Sequence, residues 1–260
     1  MSEQNLTGNP LWLRAKALKL YGVMEHWGES SNDLWLPTLL QWEEEARTHR
    51  GLERRLSQAK LGRFKSLSDF DWTWPTECDR ELVEELMHLE FLKSATNPIL
   101  LGPNGVGKTT IACNIAYQAA MKGHSVLFIQ AGQMLSDLAA QDGGIAFRRR
   151  LQHYEKQTLL VIDELGYMAY SNRYADLLFE VVSRRYQKKS TIITTNKPFN
   201  EWGEIFANAS CVVSLVDRLI HHSEIIQIEA PSFRLKDHQE GSKKKKQSKE
   251  PKKHSPKKEG

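Results

Sequence analysis

The chain is poor in the residues that cross-link or bind metals. Its three cysteines, Cys78, Cys113 and Cys211, form no CxxC pair and no metal-ligand spacing. A disulfide framework and a zinc site are therefore not expected, and a reduced, cytoplasmic setting is. No apolar run approaches the ~20 residues of a membrane span, and the N-terminus lacks the pattern of a signal peptide, so no membrane partner is expected. His221-His222 has no matching ligands nearby and reads as structural. After Leu235 there is no apolar residue at all. A segment of that kind cannot build a core and is expected to be disordered.

Net charge is also scarce, at +4, but the average conceals a division. Residues 236–260 hold ten lysines against four acids, about +6, which leaves the other 235 residues near −2. The polycationic tail reads either as a nonspecific anchor on nucleic acid, releasing counterions at each phosphate, or as a solvated end. The body, with 40% hydrophobic and 26% charged residues, suits one soluble globular domain of ordinary size with appendages.

What is present is a phosphate-binding pattern. Gly102-Pro103-Asn104-Gly105-Val106-Gly107-Lys108-Thr109 fits GxxxxGK[ST]. It follows an apolar run, residues 98–101, that reads as a buried strand, and it opens through Thr110 into an apolar helix over residues 110–120. Glycines let the backbone curl so that successive N–H groups face phosphate oxygens, and the helix N-terminus adds partial positive charge. Lys108 is expected to reach the β- and γ-phosphates and the Thr109 hydroxyl to ligate Mg²⁺.

Residues 158–164 (TLLVIDE) form an apolar strand that delivers two acids to the sheet edge where ligands bind. Asp163 is expected to hold Mg²⁺ and Glu164 to polarise an attacking water, which favours hydrolysis over phosphate transfer to a small molecule. The next strand ends in Thr194-Thr195-Asn196. Asn196 suits a contact to the γ-phosphate or the lytic water, with turn chemistry before Lys197-Pro198 as the alternative. Arg218 is the first candidate for a guanidinium that stabilises transition-state charge from a neighbouring subunit, and Arg234 the second. Either could instead be a surface ion pair. Arg148-Arg149-Arg150 could contact DNA phosphates or form a solvated helical face.

Elsewhere the pattern alternates. Helical spacing marks residues 11–24, 37–59 and 82–89. Strand-like runs at 125–130, 158–163, 190–196 and 224–229 are separated by helical stretches, which implies a parallel sheet covered on both faces. Six of the seven tryptophans precede residue 75. They could stack on bases or bind a partner, but the core of a small helical domain is the preferred reading.

Taken together, GPNGVGKTT, LLVIDELGYM, FEVVSRRY, STIITTNKPFNEWGEIF, VDRLIHHSEIIQI and PSFRLK resemble the IstB family of transposition helper ATPases. The resemblance covers roughly residues 10–236 and is most specific from Asp163 to His222. It implies an α/β fold, an AAA+ P-loop NTPase whose parallel central sheet is flanked by helices. It further implies a helical N-terminal domain (1–65) joined to an ATPase core (77–235) with little or no C-terminal lid. Turn chemistry marks residues 66–76 as a linker, and the tail (236–260) is longer and more basic than the family requires.

The same resemblance implies a Mg²⁺-dependent ATPase that forms an ATP-dependent homo-oligomer with shared ATP sites on double-stranded DNA. Such an assembly would remodel target DNA and recruit or stimulate a transposase in the bacterial cytoplasm, at the nucleoid. Hydrolysis would control disassembly and target choice. Lys108 and Thr109 take the Walker A roles, Asp163 and Glu164 the Walker B roles, Asn196 the first sensor and Arg218 the finger. The family's Gly-Glu-Ser-Tyr-Arg ending is Ala230-Pro231-Ser232-Phe233-Arg234 here, without the glutamate and the tyrosine hydroxyl. The alternatives are a replicative helicase loader and an architectural DNA-bending module switched by ATP.

Overall fold

The structure, a computed structural model, describes residues 8–31, 33–141, 144–167, 170–206 and 210–231. Expectations for Arg234, for the lysine-rich tail and for a C-terminal lid fall outside these residues. Two compact units are present, Met1–Ser57 and Gln58–Gly260.

The first unit is helical. Asn9 caps α1 (Pro10–Ala17) by accepting the N–H groups of Leu11 at 2.9 Å and Trp12 at 3.4 Å. Pro10 at the first helical position has no N–H to leave unpaired. Lys19, at φ +53, turns the chain. The helical run expected over 11–24 is therefore broken into α1 and α2 (Tyr21–Glu25), before α3 (Trp27–Ser30). Most of the long α4 (Leu36–Ala59) also belongs here. Ala15, Leu18, Trp27, Leu36 and Leu40 form the core, and Arg14 grips Glu44 with two bonds of 2.8 Å.

Only Trp27 of the early tryptophans is buried. Trp12 packs against the core's edge, while Trp35 and Trp42 are 50% and 64% exposed. The core reading thus holds for two of the six, because five buried side chains leave no room for more indole rings. Trp72 and Trp74 belong to the second unit.

The second unit is built on a six-stranded sheet in the order β1-β6-β2-β5-β4-β3. The strands are β1 (Glu77–Cys78), β2 (Asn97–Leu101), β3 (Val126–Gln130), β4 (Leu159–Leu165), β5 (Ser190–Thr195) and β6 (Ser223–Glu229). β1 is antiparallel to β6, and all other pairs are parallel. The central strands are buried on both faces, as the apolar runs of β2 and β4 require, while β5 buries hydroxyl residues around Ile192 and Ile193. One face carries α6 (Lys108–Met121), with α5 (Arg80–His88) packed against it. The other face packs into the largest core with α7 (Ala131–Ala139), α8 (Gly144–Glu155), α9 (Asn172–Arg185) and α11 (Val212–Ile220). The short α10 (Trp202–Ile205) adds the buried Trp202 and Ile205.

Register brings the carboxyl ends of four strands to one edge. Gln130 pairs with Asp163, Leu165 with Thr195, and Leu101 with Thr195. β2, which feeds the glycine loop, lies between β6 and β5, whereas the chain goes next to β3 at the far edge. Ligands bind at such switch points in open α/β sheets.

Candidate nucleotide-binding and catalytic site

The loop after β2 is shaped by two glycines at φ +83 (Gly105) and +103 (Gly107). A side chain at Gly107 would bring a Cβ 2.5 Å from the Phe70 ring, so only glycine fits there. α6 starts directly at Lys108 with no side-chain cap. Its first N–H groups are thereby left for a ligand. Lys108 is 4% exposed, and its ammonium donates to the carbonyls of Gly102 and Pro103, both at 2.7 Å. The loop thus folds around the lysine.

Thr109 donates to Asp163, its Oγ1 lying 3.0 and 3.2 Å from the two carboxylate oxygens. Asp163 is buried, and burial pushes its pKa above the ordinary carboxylate value. Hydrogen bonds from Thr194 and Thr109 and the nearby Lys108 charge oppose the rise. Glu164 has φ +60, a left-handed conformation that costs an L-residue about 1–2 kcal/mol. Its Oε2 accepts from the Gln130 amide at 3.1 Å. Below the loop, burial, followed by the Asp163 charge, raises the Cys113 thiol to about 12, so it stays protonated.

A cavity of about 440 Å³ opens over these groups, lined by residues 104–110, Cys113, Phe128, Glu164 and Tyr167. Its other wall is the segment 61–74, where the sequence suggested the end of the N-terminal domain and, from residue 66, a linker. Phe64, Phe70 and Trp74 present rings to the cavity. Phe70 rests on Trp72 at 4.7 Å, and Arg80 stacks over Trp72 at 5.2 Å. Asn114 of α6 pins this segment, accepting from Leu67 N–H at 2.9 Å and donating to Lys65 O at 2.9 Å. Aromatic walls beside a phosphate loop suit a nucleobase. The signal available in the sequence was the density of Phe and Trp between residues 64 and 74.

Asn196 lies in an adjoining open groove with Gly102, Pro103 and Gln227, which shares Asn104 with the first cavity. Its Oδ1 is the one buried side-chain polar atom without a hydrogen-bond partner among the described residues.

Arg218 is elsewhere. Its guanidinium stacks on Phe179 at 4.5 Å and bonds the Ser183 hydroxyl, and it lies outside the cavity lining. α11 leads into β6, whose first residue Ser223 pairs with Asn97 at the amino end of β2. Arg218 therefore sits toward the sheet edge opposite its own phosphate loop. Of the three successive arginines, Arg150 is committed within the chain, donating to Asp137 at 2.5 Å and stacking on Tyr154. Arg148 and Arg149 are exposed. His221 and His222 hydrogen-bond Tyr186 (2.9 Å) and Gln187 (3.3 Å). No group of three or more His, Cys, Asp or Glu side chains able to hold a metal occurs among the described residues. No helix among them is long and apolar enough to cross a membrane.

Comparison with known proteins gives the site its setting. The family described as IstB-like ATP binding protein matches residues 14–241. A protein named for ATP binding in insertion sequence IS21 of Pseudomonas aeruginosa is 40% identical over 198 residues, covering 76% of this chain and 75% of that one. Its counterpart in IS232 of Bacillus thuringiensis subsp. berliner is 36% identical, covering 70% and 74%. Among solved structures, the replication initiator DnaA bound to AMPPCP and single-stranded DNA superposes with a TM-score of 0.55 at 19% identity, over 71% of this chain and 56% of that one. DnaI superposes with a TM-score of 0.53 at 22% identity, over 63% and 90%. These two likenesses show the fold, that of AAA+ P-loop proteins. With the loop, the acids and the sheet order already in place, the match settles the affiliation: the chain belongs to the IstB-like ATP-binding protein family of insertion sequences.

Proposed function

We propose that the protein is an AAA+ ATPase that assembles on double-stranded target DNA and recruits or stimulates a transposase. The observation that carries the hydrolytic part is the convergence of Lys108, Thr109, Asp163 and Glu164 on one sheet edge beside a walled cavity. The base of ATP would lie between the 61–74 segment and Tyr167, with its phosphates on the loop N–H groups. Lys108 would exchange its carbonyl partners for β- and γ-phosphate oxygens.

The hard oxygens of Thr109 and Asp163, 3.0 Å apart, fit Mg²⁺, which takes one or two carboxylates and keeps its other positions for phosphate and water. When bound it would neutralise charge on the phosphate oxygens. Glu164 would orient and polarise the attacking water. The unpartnered Asn196 Oδ1 would accept from that water or report the γ-phosphate through the same amide. Arg218, remote from its own loop, would serve a neighbour's site, so the catalytic unit would be a homo-oligomer. Arg148 and Arg149, with the lysine-rich tail, would supply sequence-independent phosphate contacts. The domain roles follow: a helical unit for DNA, partner or self-assembly, and an ATPase core.

The test is binding to a long random-sequence duplex and to the matching single strand, each with ATP and with ADP. Particle mass is read in the same samples. Tight duplex binding with large assemblies in ATP alone is the expected result. Single-strand preference with small assemblies would reject the reading and leave a helicase loader.

A further inference from the structure

A regular strand points successive side chains to opposite faces of its sheet. Asp163 and Glu164 could not both serve one phosphate loop from an unbroken β4. The ladder breaks at that point. Ile162 pairs with Ile193 and Leu165 with Thr195, so two residues of β4 face the single residue Thr194 of β5. This is a bulge, a device that re-aims side chains next to active sites. Glu164 absorbs the extra residue at φ +60 and lines the nucleotide cavity, while Asp163 meets Thr109 at the base of the loop.

A bulge leaves ladder groups without partners, and here a side chain supplies them. The Thr194 hydroxyl donates to Asp163 Oδ1 at 2.5 Å and accepts the backbone N–H of Glu164 at 2.9 Å. A hydroxyl has one hydrogen and two lone pairs, so both uses are compatible. Thr194 is fully buried and Asp163 nearly so, which keeps water from replacing either bond. Valine would fill the same space, leave the Glu164 N–H unpaired and strip the Asp163 carboxylate of one of its two hydroxyl donors, with Thr109 alone remaining. Serine would keep both bonds.

We propose that Thr194 is a positioning residue for hydrolysis: its hydroxyl clamps the β4 bulge that turns Asp163 and Glu164 toward the same phosphate loop. This rests on the hydrolytic reading given above. Thr194 is fully buried and lines neither the cavity nor the adjoining groove. It acts on the reaction only through the two acids, so its removal should separate turnover from binding.

The experiment uses the full chain as wild type, Thr194→Val, Thr194→Ala and Thr194→Ser. It measures ADP and ATP affinity by calorimetry, kcat and KM for ATP in the presence of Mg²⁺ and duplex DNA, and the melting temperature. Displacement of catalytic groups by about 1 Å costs on the order of 10²-fold in rate. The expected result for Thr194→Val is a kcat lower by about that factor with ADP affinity within about threefold of wild type, and Thr194→Ser restores the rate. Thr194→Ala carries the same expectation if the valine variant does not fold. A wild-type kcat in either hydroxyl-free variant overturns the proposal. So does a serine variant as slow as valine, or a parallel loss of affinity and rate. A wild type that binds ATP but never hydrolyses it overturns the hydrolytic reading itself, a different outcome read in the control.

Discussion

Replacing Asn114 with leucine tests the least expected part of the site. Asn114 is 6% exposed and bridges α6 to the cavity wall, accepting from Leu67 N–H and donating to Lys65 O, each at 2.9 Å. Its third bond, to Thr110 O at 2.8 Å, stays within the helix. Leucine keeps the volume and removes both bonds to the 61–74 segment. Each is worth about 0.5–1.5 kcal/mol net, so about 2 kcal/mol is lost from the seated arrangement. At 1.4 kcal/mol per tenfold, that corresponds to a loss of ATP affinity of about 30-fold.

The phosphate loop does not depend on those two bonds, so inorganic tripolyphosphate serves as the control ligand. Calorimetric titration should show ATP weakened by about 30-fold, with tripolyphosphate changed by less than about twofold. Equal weakening of both ligands would mean that Asn114 acts through the loop. Unchanged ATP affinity would mean that the segment does not wall the base.

Two further substitutions probe the acids and the finger. Burial, opposed by Thr194, Thr109 and Lys108, raises the Asp163 pKa. The fold therefore favours the protonated acid, and the associated stability is present at low pH and lost as pH rises through the folded-state value. Asp163→Asn should melt higher than wild type at pH 7, with hydrolysis abolished. The gap should close toward acid pH in thermal scans, and a pH-independent gap would refute the electrostatic account. Arg218→Ala should leave ATP affinity within about twofold and cut hydrolysis by about 10³-fold or more. Mixing it with a Lys108→Ala protein should restore part of the activity if the arginine acts across subunits. No recovery at any mixing ratio would count against a shared site.

Much of this architecture is written locally and is therefore legible. The glycine pattern, the apolar run into Asp163-Glu164, and short runs centred on Ile, Leu and Val each determine structure within a few residues of themselves, and fold class follows from their alternation with helices. What escaped depends on contacts distant in sequence. The aromatic wall exists because Asn114 reaches back 47 residues to Leu67, and no local pattern announces that bond. Arg150 looked equivalent to Arg148 and Arg149 until α8 turned it onto Asp137. The early tryptophans looked like a core because composition does not reveal how little volume four helices enclose. The bulge at Glu164 is invisible in a strand that reads as uniform.

The stretch FEVVSRRY, part of what carries the family resemblance, owes one of its arginines to assembly rather than chemistry. Arg185 is 1% exposed. Its guanidinium bonds the carbonyls of Tyr154, Gln157 and Ser190 and the hydroxyl of Thr191, at 2.9, 2.8, 2.5 and 2.9 Å. A sequestered cation tolerates no half-complete set of partners. The end of α8 and the start of β5 must therefore lock around it together. During synthesis on the ribosome the early half of the clamp emerges before Arg185 and the remainder just after it. Arg185 thereby ties the placement of the end of α8 to the first two residues of β5, Ser190 and Thr191.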